Sequence, residues 1–183
     1  LEDLDAVASL DHDRILRNQL GLIEATVRTN AYRGGRRALA FKVRSADVPA
    51  MPQPAPLFEI YIYSPAVEGI HLRGGKIARG GLRWSDRMDY RTEVFGLMRA
   101  QMTKNAVIVP DGAKGGFHLT RRPEDLAELR AEVERQYVTY ISGLLDVTDN
   151  LIDGEVVHPE GVRVLDDDDT YLVVAADKGT ATL

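Results

Sequence analysis

From Pro123 onward, Leu126, Leu129, Val133, Tyr137, Ile141 and Leu144 recur every three or four positions, a stripe that only a long α-helix gathers on one side. Pro123 suits a first helical position, and Glu124 and Asp125 suit the first turn, where the helix dipole favours negative charge. A stripe of that length has to be buried against a flat apolar partner. The chain supplies one: Ala38–Val43 and Leu57–Tyr63 alternate or are rich in β-branched and aromatic residues, and Pro49, Pro52, Pro54 and Pro56 separate them. Helical spacing recurs over Asp11–Arg28, with Leu16, Leu20, Ile23 and Val27 on one side and Asp11 as cap, and again through Tyr90, Val94, Leu97, Met98 and Met102. Ala106–Val109 and Tyr171–Ala175 read as short buried strands. This mixture predicts an α/β fold, a mixed sheet flanked by helices.

The 183 residues fit one domain on a scale of ~100–200 residues each. The absence of cysteine excludes disulfides, zinc fingers, iron–sulfur clusters and thiol catalysis, so any redox chemistry falls to an organic cofactor. No apolar run approaches the ~18 residues of a membrane span, and the opening Leu1-Glu2-Asp3-Leu4-Asp5 is acidic where a signal peptide is basic. A cytoplasmic protein without a membrane partner is expected.

Charge is unevenly spread. Residues 73–122 hold eleven Lys and Arg against four Asp and Glu, on a chain of net charge −5, which points to a bound anion. Within that stretch Lys114 stands in Gly112-Ala113-Lys114-Gly115-Gly116, read as a glycine turn with φ > 0 that presents the lysine to a ligand. Lys104 lies seven residues after Leu97, on the apolar stripe of its helix, either snorkelling at the helix end or sharing a pocket with Lys114. A lysine in a partly dry pocket is suited to general-base work. Asp177, followed by a turn at Gly179, is either a proton-exchange partner for such a lysine or a helix cap. Arg79-Gly80-Gly81-Leu82-Arg83-Trp84 offers a guanidinium for a carboxylate, backbone N–H groups and an aromatic wall. The glycine spacing of a phosphate loop is absent, as is GxGxxG. Asp166–Asp169 reads as a solvated loop, and His12, His71, His118 and His158 have no metal-ligand spacing, so no metal site is expected.

Three motifs in order, Ala78-Arg79-Gly80-Gly81-Leu82-Arg83-Trp84-Ser85-Asp86-Arg87, Gln101-Met102-Thr103-Lys104-Asn105-Ala106 and Gly112-Ala113-Lys114-Gly115-Gly116, resemble glutamate dehydrogenases. The likeness is to the large NAD-specific bacterial type; it spans the chain from about Ala38 and extends through Asp177-Lys178-Gly179-Thr180-Ala181-Thr182. The resemblance implies a lead-in at residues 1–37 and, at 38–183, the substrate-binding domain of a longer, homo-oligomeric polypeptide whose Rossmann-type NAD domain lies elsewhere. It implies L-glutamate and 2-oxoglutarate as ligands, NAD as cofactor of the whole enzyme, and no turnover by this piece alone. By the same resemblance, Lys114 is the catalytic lysine that activates water, and Asp177 shuttles protons to the substrate nitrogen. Lys104 pairs with the α-carboxylate, and Arg79 stands where smaller members carry a lysine for the side-chain carboxylate, a contact that Lys76 or Arg83 would share; Gly81 lines the substrate. The rival readings are a dehydrogenase for another amino acid, against which Arg79 argues, and a nucleic-acid or polyanion module stacking bases on Trp84, Tyr90 and Phe95.

Overall fold

A computed structural model of the protein describes residues 2–49, 51–104 and 111–181, with the side chains of all these except residues 2, 3, 103, 104 and 179. The first helix, α1 (Leu10–Glu24), is capped by Ser9, whose hydroxyl accepts from the His12 amide. It stops four residues before the sequence pattern does. The run Thr26-Val27-Arg28-Thr29 is mostly β-branched and forms strand β1 (Thr26–Thr29) instead, which puts Val27 in the core of a sheet. The helix stripe is left wet, with Ile23 70% exposed.

The next strands, β2 (Leu39–Arg44) and β3 (Phe58–Tyr63), fall where alternation places them. Then come β4 (Val67–Arg73), β5 (Leu82–Ser85), α2 (Tyr90–Lys104), β6 (Ala113–Leu119) and α3 (Leu126–Asp146). Asp125 caps α3, its carboxylate accepting from the amides of Ala127 and Glu128. Beyond it lie the hairpin β7 (Asn150–Ile152) and β8 (Glu155–Val157), then β9 (Arg163–Val164) and a one-turn helix α4 (Lys178–Ala181). The hairpin turns on Asp153-Gly154, both at positive φ, the Asp-Gly signature of a two-residue turn. The expected strand at 106–109 lies outside the described residues, and Tyr171–Ala175 is not a strand.

Among the described residues seven strands form one mixed sheet in the order β5-β6-β4-β3-β2-β1-β9. All its pairs are antiparallel except β5 and β6, which are joined through α2, the crossover a parallel pair needs. On one face Leu129, Val133, Tyr140 and Leu144 of α3 pack on Ala40, Ile60, Ile62, Leu82 and Phe117. On the other, Val94 and Met98 of α2 pack on Ile70 and Leu72. Each such side chain contributes ~1.5–3 kcal/mol when fully buried.

The Gly115-Gly116 pair is strand, not turn, and neither glycine has positive φ. They are small because both faces crowd them: a Cβ at Gly115 would lie 2.4 Å from the Tyr140 hydroxyl, and one at Gly116 2.6 Å from Val94. Tyr140 itself crosses to donate to the Ile70 carbonyl at 2.8 Å.

His71, opposite Gly115 on β4, is fully buried with neither ring nitrogen hydrogen-bonded. Burial, reinforced by the Arg73 charge and opposed by Asp169, pushes its pKa down to about 3. Between that value and its ordinary 6.5 the unfolded chain binds a proton that the folded chain refuses, so stability is lost as pH falls through this window. The expected contribution to the slope of unfolding free energy is up to about 1.4 kcal/mol per pH unit. Urea titrations of His71→Leu from pH 7 to pH 4 should show a correspondingly flatter slope; an unchanged slope would remove His71 from the acid response.

Candidate active site

The run from Arg79 to Ser85 lies beside the start of β6. The Arg79 amide donates to Asp111 O at 3.0 Å, Ala113 N to Arg79 O at 2.9 Å and Gly115 N to Gly81 O at 3.2 Å. On its outer side the same run meets the segment that ends at Asp177: Leu82 N donates to Ala175 O at 2.9 Å and Asp177 N to Leu82 O at 2.7 Å. Three stretches far apart in sequence, 79–82, 112–115 and 175–177, are thus laid side by side by main-chain bonds.

Side chains follow from this. Lys114 pairs across the ladder with Leu72, so it stands on the sheet face that carries α2. Its ammonium meets the Asp177 carboxylate at 2.5 Å, with the side chains 11% and 29% exposed. Gly81 makes room for that carboxylate: a Cβ there would lie 2.1 Å from Asp177 Oδ1. Along the extended run, alternation puts Arg79 on the same side as Gly81. Arg79 is exposed, and its guanidinium has no ion pair or hydrogen bond among the described residues. Asp177 also opens α4, its carbonyl accepting from the amides of Thr180 and Ala181. The structure therefore brings together Lys114, Asp177, Gly81 and the Arg79 backbone. Lys104 is the last residue of α2, on the same face, and its side chain lies outside the description.

Other sequence expectations change. The cationic excess of residues 73–122 is largely answered from outside that stretch, because Arg73 pairs with Asp169, Lys76 with Asp167, Arg91 with Glu59 and Lys114 with Asp177. Arg83 pairs with Glu93 at 3.0 Å. Tyr90 and Phe95 pack beside Val94 and Met98, and Trp84 packs on the core beneath Arg122, which removes the stacking platform a polyanion module needs.

Asp166–Asp169 is not simply a solvated loop. Asp166 bonds Arg28 and Lys42, each at 2.5 Å, and Asp169 bonds Lys42 at 2.7 Å and both terminal nitrogens of Arg73. Asp149 takes Arg28 in a two-pronged contact at 2.7 and 3.0 Å. Burial alone would raise its pKa, but Arg28, His158 and the Asp169 amide bring it down to about 2. Single ligand atoms of Asp149, His158 and Asp168 lie within 4.8 Å of one another. With Asp149 committed to Arg28, a metal ion there would face a buried guanidinium. The sequence held no periodic signal for this network; its partners are more than 90 residues apart.

Over residues 1–183 the sequence matches the family described as bacterial NAD-glutamate dehydrogenase, catalytic domain. The chain belongs to this family. It is 57% identical over 187 residues to an NAD-specific glutamate dehydrogenase of Pseudomonas aeruginosa, 56% over 187 to that of Halomonas elongata and 53% over 196 to that of Mycobacterium tuberculosis. Each match covers 98% of this chain and 12% of the relative, so the chain spans about an eighth of the length of these curated glutamate dehydrogenases. Among the described residues the one parallel crossover, β5-α2-β6, has no GxGxxG at its first turn. No helix of the described residues is long and apolar enough to cross a membrane.

If Gly81 exists to seat Asp177, Gly81→Ala should push that carboxylate off Lys114 and cost about 1–3 kcal/mol, as overpacking does. A crystal structure of the variant with denaturant melts checks both. An intact Lys114–Asp177 pair at unchanged stability would contradict the assignment.

Proposed function

We propose that this chain is the substrate-binding and catalytic-lysine region, residues 38–183 behind a lead-in at 1–37, of an NAD-dependent glutamate dehydrogenase. The reaction is oxidative deamination of L-glutamate to 2-oxoglutarate and ammonia, with NAD taking up the hydride and held by another part of the polypeptide. The observation that carries the reading is the Lys114–Asp177 pair at 2.5 Å on the face shared with Lys104 and beside Arg79, together with family membership.

The residues divide the work by chemistry. Asp177 is an anion within hydrogen-bond reach of an ammonium, so the two hold a proton between them and can pass it on when a substrate nitrogen enters. Lys114, once its proton has passed to Asp177, takes one from water as that water attacks the imino carbon, and Asp177 gives its proton to the departing nitrogen. Main-chain bonds hold the strand of Lys114 and the segment ending at Asp177 on either side of the 79–82 run, which sets the pair in place for a reacting group. The guanidinium of Arg79, unpaired among the described residues, suits two-pronged contact with the side-chain carboxylate, and Lys104 takes the α-carboxylate. A dehydrogenase for apolar amino acids would leave Arg79 facing hydrocarbon, which is unfavourable for a charge.

Arg79 gives the discriminating test. In the natural full-length enzyme, Arg79→Ala should lower kcat/KM for glutamate by roughly 10²-fold, the scale of losing a charge-assisted contact. For norvaline, which keeps the α-carbon chemistry but lacks the distal carboxylate, the change should stay within a few-fold. Equal losses on both substrates, or none on glutamate, would refute the role given to Arg79.

A further inference from the structure

Asp177 is reached by a segment, 171–176, that has no regular strand or helix, so its placement depends on individual hydrogen bonds. Resting on the reading of Lys114 and Asp177 as the proton-handling pair, we propose that Tyr171, gripped by Arg73, is a positioning residue that holds Asp177 in register with Lys114.

Tyr171 is held at one end and holds at the other. Its carbonyl accepts from Arg73 Nη1 at 2.6 Å, and its hydroxyl donates to the carbonyl of buried Ala78 at 2.8 Å. Arg73 ends β4, opposite Ala113, while its neighbour Leu72 lies opposite Lys114. Ala78 precedes Arg79 and lies three residues before Gly81, whose missing side chain makes room for Asp177. Tyr171 therefore ties the strand that supports Lys114, the run that backs Asp177, and the segment that delivers Asp177.

Beyond it, Tyr137 donates to Val174 O at 2.8 Å and Leu82 N to Ala175 O at 2.9 Å. These bonds fix the far half of the segment to α3 and β5. Only Tyr171 among the described residues of 171–176 reaches across with its own side chain to the 78–81 run. Reacting groups displaced by 1 Å lose about 10²-fold in rate, so a fault at this anchor should appear in catalysis before it appears in stability.

The test is a double-mutant cycle in the natural full-length enzyme. Tyr171→Phe removes one hydroxyl and should lower kcat by ~10-fold with KM for glutamate held within about 2-fold, since an interaction acting on the transition state alone is lost. On an Asp177→Asn background the same substitution should change kcat by less than about 2-fold, because the group it positions no longer carries charge. Arg73→Lys, which keeps a cation at Asp169 but loses the Nη1 bond to the Tyr171 carbonyl, serves as the second variant and should show the same pattern. Wild-type kcat in Tyr171→Phe, or an undiminished loss on the Asp177→Asn background, overturns the role of Tyr171. An Asp177→Asn enzyme with full kcat overturns the underlying reading of the pair instead, and the positioning role with it.

Discussion

Six alternating charges, Asp149-Arg28-Asp166-Lys42-Asp169-Arg73, run along one face of the sheet, and the layout of the last third of the chain depends on them. The cations stand on β1, β2 and β4 and are at most 2% exposed; the carboxylates all come from the stretch after α3. Three positive and three negative groups cancel, and the ring of Phe58 lies under Lys42 at 4.1 Å and Arg73 at 5.4 Å. Such a network adds little net stability over an apolar core of equal volume, yet removing one member strands a buried charge at a cost of about 3–5 kcal/mol. Its effect is to dictate position. The placement of residues 166–169 that makes these pairs also delivers Tyr171 and then Asp177 to the edge of the sheet.

That edge would otherwise be open. Among the described residues β5 ends the sheet, and an unpaired strand is a template for unwanted pairing. The segment 175–177 covers it through the bonds at Leu82, and Thr180 accepts from the Trp84 amide at 3.1 Å. Covering the edge and placing the acid are thus one event. Small residues make this possible, since Gly81 leaves room for the Asp177 carboxylate and Gly115 and Gly116 let α3 and α2 approach the strand bearing Lys114.

Local patterns in the sequence carried the helices and the first strands. The stripe from Leu126 to Leu144 and the alternation in Ala38–Val43 and Leu57–Tyr63 are set by burial of one face, which composition records directly. The strand at Ala113–Leu119 was hidden because two central glycines mimic a turn, whereas their cause is Tyr140 and Val94 on either side, contacts that no local window contains. Asp153-Gly154 was a readable hairpin signal that the surrounding acidic residues masked. Of the candidate site, Lys114 and Asp177 were legible as chemistry and are adjacent in space. The excess of cations at 73–122 was legible but its meaning was not, since the answering carboxylates lie elsewhere in the chain. In the sequence Tyr171 reads only as part of a strand; the role proposed for it rests on a carbonyl and a hydroxyl that face different elements.

The central claim is that the α2 face of the sheet receives the proposed substrate where Lys114 and Asp177 meet. A crystal structure of the natural full-length enzyme with 2-oxoglutarate tests it most directly. The account predicts the keto oxygen accepting from the Lys114 ammonium beside Asp177, with the distal carboxylate directed at Arg79. A ligand seated elsewhere, or Lys114 and Asp177 drawn apart on opposite sides of the sheet, would contradict it.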